Sequence, residues 1–378
     1  MTDFREFIAD RASSFLSGGM REMFQLAANL KDPVNLAIGQ ADFDVPPSIK
    51  QAIHQAVDEN HNDYALAQGI APLVKRIQQQ VDDQFAHQDR QVFITSGTSA
   101  GLNLAVLTLI NPGEELIYFD PYFAMYPALG QITGGVSVKI DTYPEFQVDI
   151  DQVESAITER TKLLIVNSPA NPTGYCLPEN SLKDLADLAR RHNLMVISDE
   201  IYSSYSYDRP HRSIAEFYPS TIVIDGFSKS HAMAGLRLAY VHGPSKIIEA
   251  MIQLQQFTFV CAPHPVQWAG LAAIETEMSE FVSEYQKKRD WLVDELSSDF
   301  EIAKPGGAFY VFPKLPWGSG REFFEAALAE NLILIPGKTF SEQDSHFRIS
   351  YAVPDNKLQQ GAELLKKLAR KKSATASS

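Results

Sequence analysis

The chain has little cysteine, no long apolar run and a deficit of positive charge, and each shortage excludes something. Cys176 and Cys261 are the only two cysteines in 378 residues, too few for a disulfide framework or a Cys-rich metal site, so two reduced thiols are expected. No stretch approaches the roughly 18 apolar residues of a membrane span, and the opening MTDFREFIAD carries charge where a signal peptide needs an apolar core. A cytoplasmic protein is expected. With 33 basic against 47 acidic residues the net charge is −14, which repels nucleic acid and anionic membrane but still allows a local basic pocket for a small anion. Repeats are absent, and low complexity is confined to the tail RKKSATASS, expected to be disordered over 371–378.

What is present is a regular alternation. From about Gln91 to Ala250, the apolar runs VFIT, ELIYF, KLLIVN, LMVIS, TIVID and LAYVHG predict strands, and AGLNLAVLTLI, SLKDLADLARRH and KIIEAMIQLQQF predict helices between them. Strands without a polar face, alternating with helices, predict a mainly parallel sheet covered on both sides, a three-layer αβα domain. After about Ser283 the texture changes to an α+β module: a charged helix, then GAFYVFP, REFFEAALAEN, LILIPG, FRISYA and a closing helix. The segment before PVNLAIGQADF is too short for a core of its own and is expected to join this module. The predicted division is 1–44 packing with the small domain, 45–282 as the large domain and 283–370 as the small one.

Ligands of open α/β sheets sit beyond the carboxyl ends of strands, and four such ends carry polar residues. FITSGTSAG turns from strand into helix and aims free N–H groups and hydroxyls at one point, which suits a phosphate. IVNSPANPTG ends in Asn and Pro. MVISDEIYSSY ends in Asp199, Glu200 and Tyr202, where a carboxylate leaving a buried strand needs a partner. TIVIDGFSKSHAMAGLRLAY places Lys229 and Arg237 after a core strand with no acid between them. A turn, a loop, an N-cap and a surface lysine account for each of these singly, but not for all four together.

In this order the motifs resemble the pyridoxal-phosphate enzymes of the aspartate aminotransferase superfamily, specifically class I/II aminotransferases of fold type I with an N-terminal REM…LA helix. The resemblance runs from GGMREMFQLAANLKDPVNLAIGQADFDVP through SPANPTG, ISDEIY and GFSKSHAMAGLRLAY to PGGAFYVFP, IPGKTFS and FRISYA. It implies pyridoxal 5'-phosphate as cofactor, with Lys229 as the lysine that bonds to it and then moves the substrate's α-proton. Arg237, Ser228, Gly97, Thr98 and Ser99 would cradle the phosphate, Asp199 would pair with the pyridine nitrogen, and Tyr202 and Asn171 would hold the phenolic oxygen. Phe123 would lie against the ring face, although Tyr122 stands beside it. Arg348 would grip the substrate α-carboxylate, and Gly39 would let the backbone approach the same group.

Tyr64 matches a tyrosine that reaches the neighbouring subunit's cofactor, which implies a homodimer with shared sites. The partners implied are an amino acid and a 2-oxo acid such as 2-oxoglutarate.

Three positions depart from the pattern. Gly226 replaces a frequent phosphate-binding serine, Ser99 stands where some aspartate-specific members carry a lysine, and His231 replaces a frequent aromatic and is read as packing. A carbon–sulfur β-lyase of the same fold would share almost every cofactor residue, so that reading stays open beside the transaminase favoured by AMAGLRLAY and GAFYVFP. A non-enzymatic regulatory module would need a DNA-binding domain, for which the region before REMFQLAANL has no room.

Overall fold

The computed structural model describes residues 4–13 and 30–371. The expected REM…LA helix and the tail 372–378 lie outside the described residues. The first strand, β1 (Val34–Asn35), is followed by seven that form one sheet: β2 (Gln91–Thr95), β3 (Glu115–Asp120), β4 (Val136–Asp141), β5 (Thr161–Asn167), β6 (Met195–Asp199), β7 (Thr221–Gly226) and β8 (Ala239–Gly243). Their order is β2-β8-β7-β6-β5-β3-β4. β8 runs antiparallel to both its neighbours, and the other pairs are parallel. The apolar-run criterion passes over β4. This is an edge strand whose residues are mostly exposed or half-buried and include Lys139, so no apolar run announces it.

Helices cover both faces of the sheet. Glu179–Arg191 buries Leu182, Leu185, Ala186, Leu188 and Ala189, the three-and-four spacing of one helical face, against Leu164, Val166 and Val196 of β5 and β6. Thr98–Leu109 buries Leu102, Leu104, Ala105 and Val106 on the other side against Phe93, Ile224 and Val241. Each fully buried leucine contributes about 1.5–3 kcal/mol, and the layers fix the carboxyl edge of the sheet as a rigid platform.

The remaining strands are β9 (Tyr310–Val311), β10 (Leu332–Ile333), β11 (Ile335–Pro336) and β12 (Phe347–Ser350). β12 lies between β11 and β9, antiparallel to both, while β1 pairs in parallel with β10. Val34 and Leu36, from near the start of the chain, share a core with Phe309, Phe347, Leu358 and Leu365 from near its end. The Ser350 amide donates to the Leu36 carbonyl at 2.7 Å, so β12 is held against the segment that leads to Gly39. Among the described residues no helix is long and apolar enough to cross a membrane.

Candidate functional site

β2, β5, β6 and β7 end at one edge of the sheet, and β8 begins there because it runs the other way: Ala239 pairs with both Thr95 and Gly226. This reversal brings Arg237, just before β8, beside the turn after β2. Gly97 opens the helix Thr98–Leu109 with φ 84°, and a β-carbon there would fall 2.3 Å from Arg237 Nη2. Only glycine permits both the left-handed turn and the close approach. Thr98 and Ser99 form the first turn of that helix, whose free N–H groups favour an anion. Ser228 is buried and its Oγ has no hydrogen-bond partner.

The Gly226 departure has a packing cause. A β-carbon at 226 would lie 2.7 Å from both Cα and Cβ of Ala239, so no serine fits where β7 and β8 pair.

Lys229 Nζ donates to the Gly39 carbonyl at 2.6 Å. Burial, with Arg348 and Arg237 nearby, pushes its ammonium down to about 8, against a smaller opposing pull from Asp199. None of Lys229, Arg237 and Arg348 forms a salt bridge to a carboxylate among the described residues. Three cations gathered around one acid leave room for an anion.

Asp199, 3% exposed, is that acid. Tyr126 donates to its Oδ2 at 2.8 Å, while Oδ1 is buried without a partner. Burial pushes its carboxyl up to about 6, although Tyr126 pulls the other way. Asn167, the last residue of β5, donates to the Asp199 carbonyl at 2.9 Å and accepts from the Asn171 amide at 2.9 Å, which locks the two strand ends together. Phe123 is half-buried and meets Tyr126 edge-on at 5.7 Å. Tyr122 instead turns into the core against Tyr118 at 5.3 Å, so Phe123 is the ring of the pair that stands next to the Asp199 partner.

Arg348 of β12 is 5% exposed. Its Nη1 donates to Asn171 Oδ1 and its Nη2 to the Ala37 carbonyl, both at 2.9 Å, while Nε is buried unpartnered. Tyr202 shares a hydrogen bond of 2.8 Å with the Tyr310 hydroxyl. At Gly39 a β-carbon would meet Tyr310 Oη at 2.7 Å, ahead of Arg348 Nη2 at 3.8 Å. The glycine makes room for a tyrosine of the protein itself.

His231 packs on Phe227 and meets Ser230 Oγ at 2.8 Å. Glu200 faces away from this cluster into a pair with His211 at 2.8 Å. Burial would raise Glu200, but His211 and the hydroxyls of Ser198 and Ser213 outweigh it and hold the carboxyl low.

The structure thus gathers Gly39, Gly97, Thr98, Ser99, Phe123, Asn171, Asp199, Tyr202, Ser228, Lys229, Arg237 and Arg348 at one edge. Tyr64 stands apart, 84% exposed. Tyr126, Asn167 and Tyr310 escape a reading of motifs. Their signal is a polar residue at a strand end, or a tyrosine inside DPYFAMYP and GAFYVFP, which points to a site only once its neighbour is known.

A family model for class I and II aminotransferases matches residues 31–365. The chain belongs to that family. It is 33% identical over 375 residues to a probable aspartate aminotransferase of Methanocaldococcus jannaschii, covering 96% of this chain and 99% of that one. It is 31% identical to aromatic-amino-acid aminotransferase 2 of Thermococcus litoralis, over 97% and 99% of the two chains. A solved double mutant of Thermus thermophilus aspartate aminotransferase superposes with TM-score 0.90 at 30% identity, covering 96% and 99%. The protein is an enzyme of this family, a transaminase with the fold of the aspartate aminotransferases.

Proposed function

We propose that this aminotransferase uses pyridoxal 5'-phosphate, held at the strand-end cluster, to move amino groups from a broad range of L-amino acids to a 2-oxo acid such as 2-oxoglutarate. The observation that carries the cofactor reading is the set of unsatisfied buried atoms: Asp199 Oδ1, Ser228 Oγ and Arg348 Nε have no partner, and unpaired buried polar groups are costly unless a ligand completes them. When bound, the cofactor supplies an electron sink for the charge left at the substrate α-carbon. Arg237, Ser228 and the Gly97–Ser99 turn hold its phosphate. Asp199 Oδ1 keeps a proton on the pyridine nitrogen, and Tyr202 and Asn171 address the phenolic oxygen. Lys229 anchors the cofactor, and Nζ then carries the proton that leaves the α-carbon; an ammonium pushed down to about 8 reaches its neutral, proton-accepting form at a milder pH than an ordinary lysine. Arg348 offers a planar fork to the α-carboxylate, a contact worth about 1.5–3 kcal/mol as a charge-assisted pair.

The breadth of donors rests on Ser99. A serine provides no charge for a distal carboxylate, so a neutral or aromatic side chain leaves no buried cation unpaired. The relatives named for aspartate and for aromatic amino acids agree with such a pocket. Phenylalanine or tyrosine is expected to compete with aspartate, measured as kcat/KM in single half-reactions followed by the colour change of the cofactor. An aspartate advantage above about a thousandfold would show that another cation reads the side-chain carboxylate.

Tyr64 acts from a partner subunit in this reading. It sits in an exposed apolar patch with Leu66, Phe257 (83% exposed), Phe259 and Val260, and the segments adjoin through His264 and Asp63 at 3.0 Å. Such a patch is costly to leave in water, and a second copy is its natural cover. Sedimentation is expected to give a homodimer whose activity falls on dilution; a fully active monomer contradicts this.

A further inference from the structure

Tyr310 is absent from the motif-derived set, yet it touches three members of it. Its hydroxyl lies 2.8 Å from that of Tyr202, its ring lies 4.4 Å beneath the Arg348 guanidinium, and its oxygen occupies the space that a side chain at 39 would need. The ring has no freedom to leave. Tyr310 is fully buried, β9 pairs it with Ser350 two residues beyond Arg348, and Phe309 packs against both tyrosines.

A bond between two hydroxyls has a direction, because each oxygen owns one proton. If Tyr202 donates to Tyr310, Tyr202 has no proton left for a ligand. If Tyr310 donates, the Tyr202 proton is free to point into the site. The more acidic hydroxyl donates. Burial raises both hydroxyls, but the Arg348 guanidinium stands 4.4 Å over the Tyr310 ring and makes Tyr310 the readier donor. A cation over the ring face draws the Tyr310 electrons in the same sense.

We propose that Tyr310 is a positioning residue, donating to the Tyr202 oxygen so that the Tyr202 proton is aimed at the phenolic oxygen of the cofactor. This rests on the reading of Tyr202 given above. Chained donors polarise each other, so Tyr310 also strengthens the bond Tyr202 makes. The arginine that receives the α-carboxylate thereby bears, through one ring, on the charge of the phenolic oxygen.

The test is the visible absorbance of the enzyme loaded with pyridoxal phosphate, titrated with pH in the wild type, Tyr202→Phe, Tyr310→Phe and the double variant. A donor to the phenolic oxygen stabilises its negative charge; without it that oxygen holds the neighbouring proton of the lysine linkage more tightly. Tyr202→Phe is expected to raise the apparent pKa of the linkage by about 1 and Tyr310→Phe by about half that. In the Tyr202→Phe background, Tyr310→Phe is expected to add nothing. Phenylalanine keeps the ring under Arg348, so the packing survives and a merely structural role would leave the titration where it was. No shift in Tyr202→Phe would overturn the reading of Tyr202 and the inference with it. A shift there with none in Tyr310→Phe, or an equal Tyr310→Phe shift in both backgrounds, would overturn the inference alone.

Discussion

Lys229→Ala is expected to lower the rate of the half-reaction by about 10⁴-fold while the protein still retains its cofactor. In the proposed reading the change removes both the anchoring amine and the base that carries the α-proton, and general base catalysis alone is worth about 10²–10⁴. Retention follows from geometry. Arg237, Ser228 and the Gly97 turn make no hydrogen bond to Nζ, whose partner is the Gly39 carbonyl. Single-turnover absorbance gives the rate and dialysis gives the retention. A loss below about tenfold would remove Lys229 from the chemistry.

Asp199→Asn is expected to lower the rate by about 10³-fold and to weaken cofactor binding, because an amide keeps the shape and the Tyr126 contact but cannot hold a proton on the pyridine nitrogen. The same change should act in the opposite sense on the cofactor-free protein. The folded carboxyl lies above its ordinary value, at about 6, so folding is favoured while Asp199 is protonated, below about pH 4. That advantage is lost as pH rises through 6, and at pH 8 the buried charge costs up to about 3 kcal/mol. Urea unfolding of the cofactor-free variant at pH 8 is expected to show greater stability than the wild type. Lower stability, or an unchanged rate, would mean that the carboxylate serves packing and not the ring nitrogen.

Much of the architecture is legible in the sequence because it is written as apolar runs. The six strands so marked are buried on both faces and sit inside the sheet or beside β8, whereas β4 at the edge faces solvent and carries no such run. The direction of β8 is not legible: LAYVHG is as apolar as its neighbours, and its orientation depends on the short turn through Arg237, which adopts φ 57°. At the site, charge made Lys229, Asp199, Arg237 and Arg348 conspicuous. Tyr126 and Tyr310 were not, since a buried tyrosine reads as core until the acceptor of its hydroxyl is known. Gly226 shows the converse: the sequence shows only that a frequent phosphate-binding serine is replaced, and the cause, Ala239 packed against it, is visible only in the structure.

The bond from Arg348 to the Ala37 carbonyl joins residues 311 positions apart. The residues proposed to hold the cofactor within one subunit fall between Gly97 and Arg237, all fixed by a single sheet. Synthesis runs from the N-terminus, and folding during synthesis follows that order. On the ribosome the two halves of the site therefore differ in age. The proposed cofactor side is encoded in full while the proposed carboxylate side still lacks its arginine, so a chain cut short before Phe347 would lack the substrate's handle. In the proposed reading, chemistry on free amino acids is the last property this polypeptide acquires.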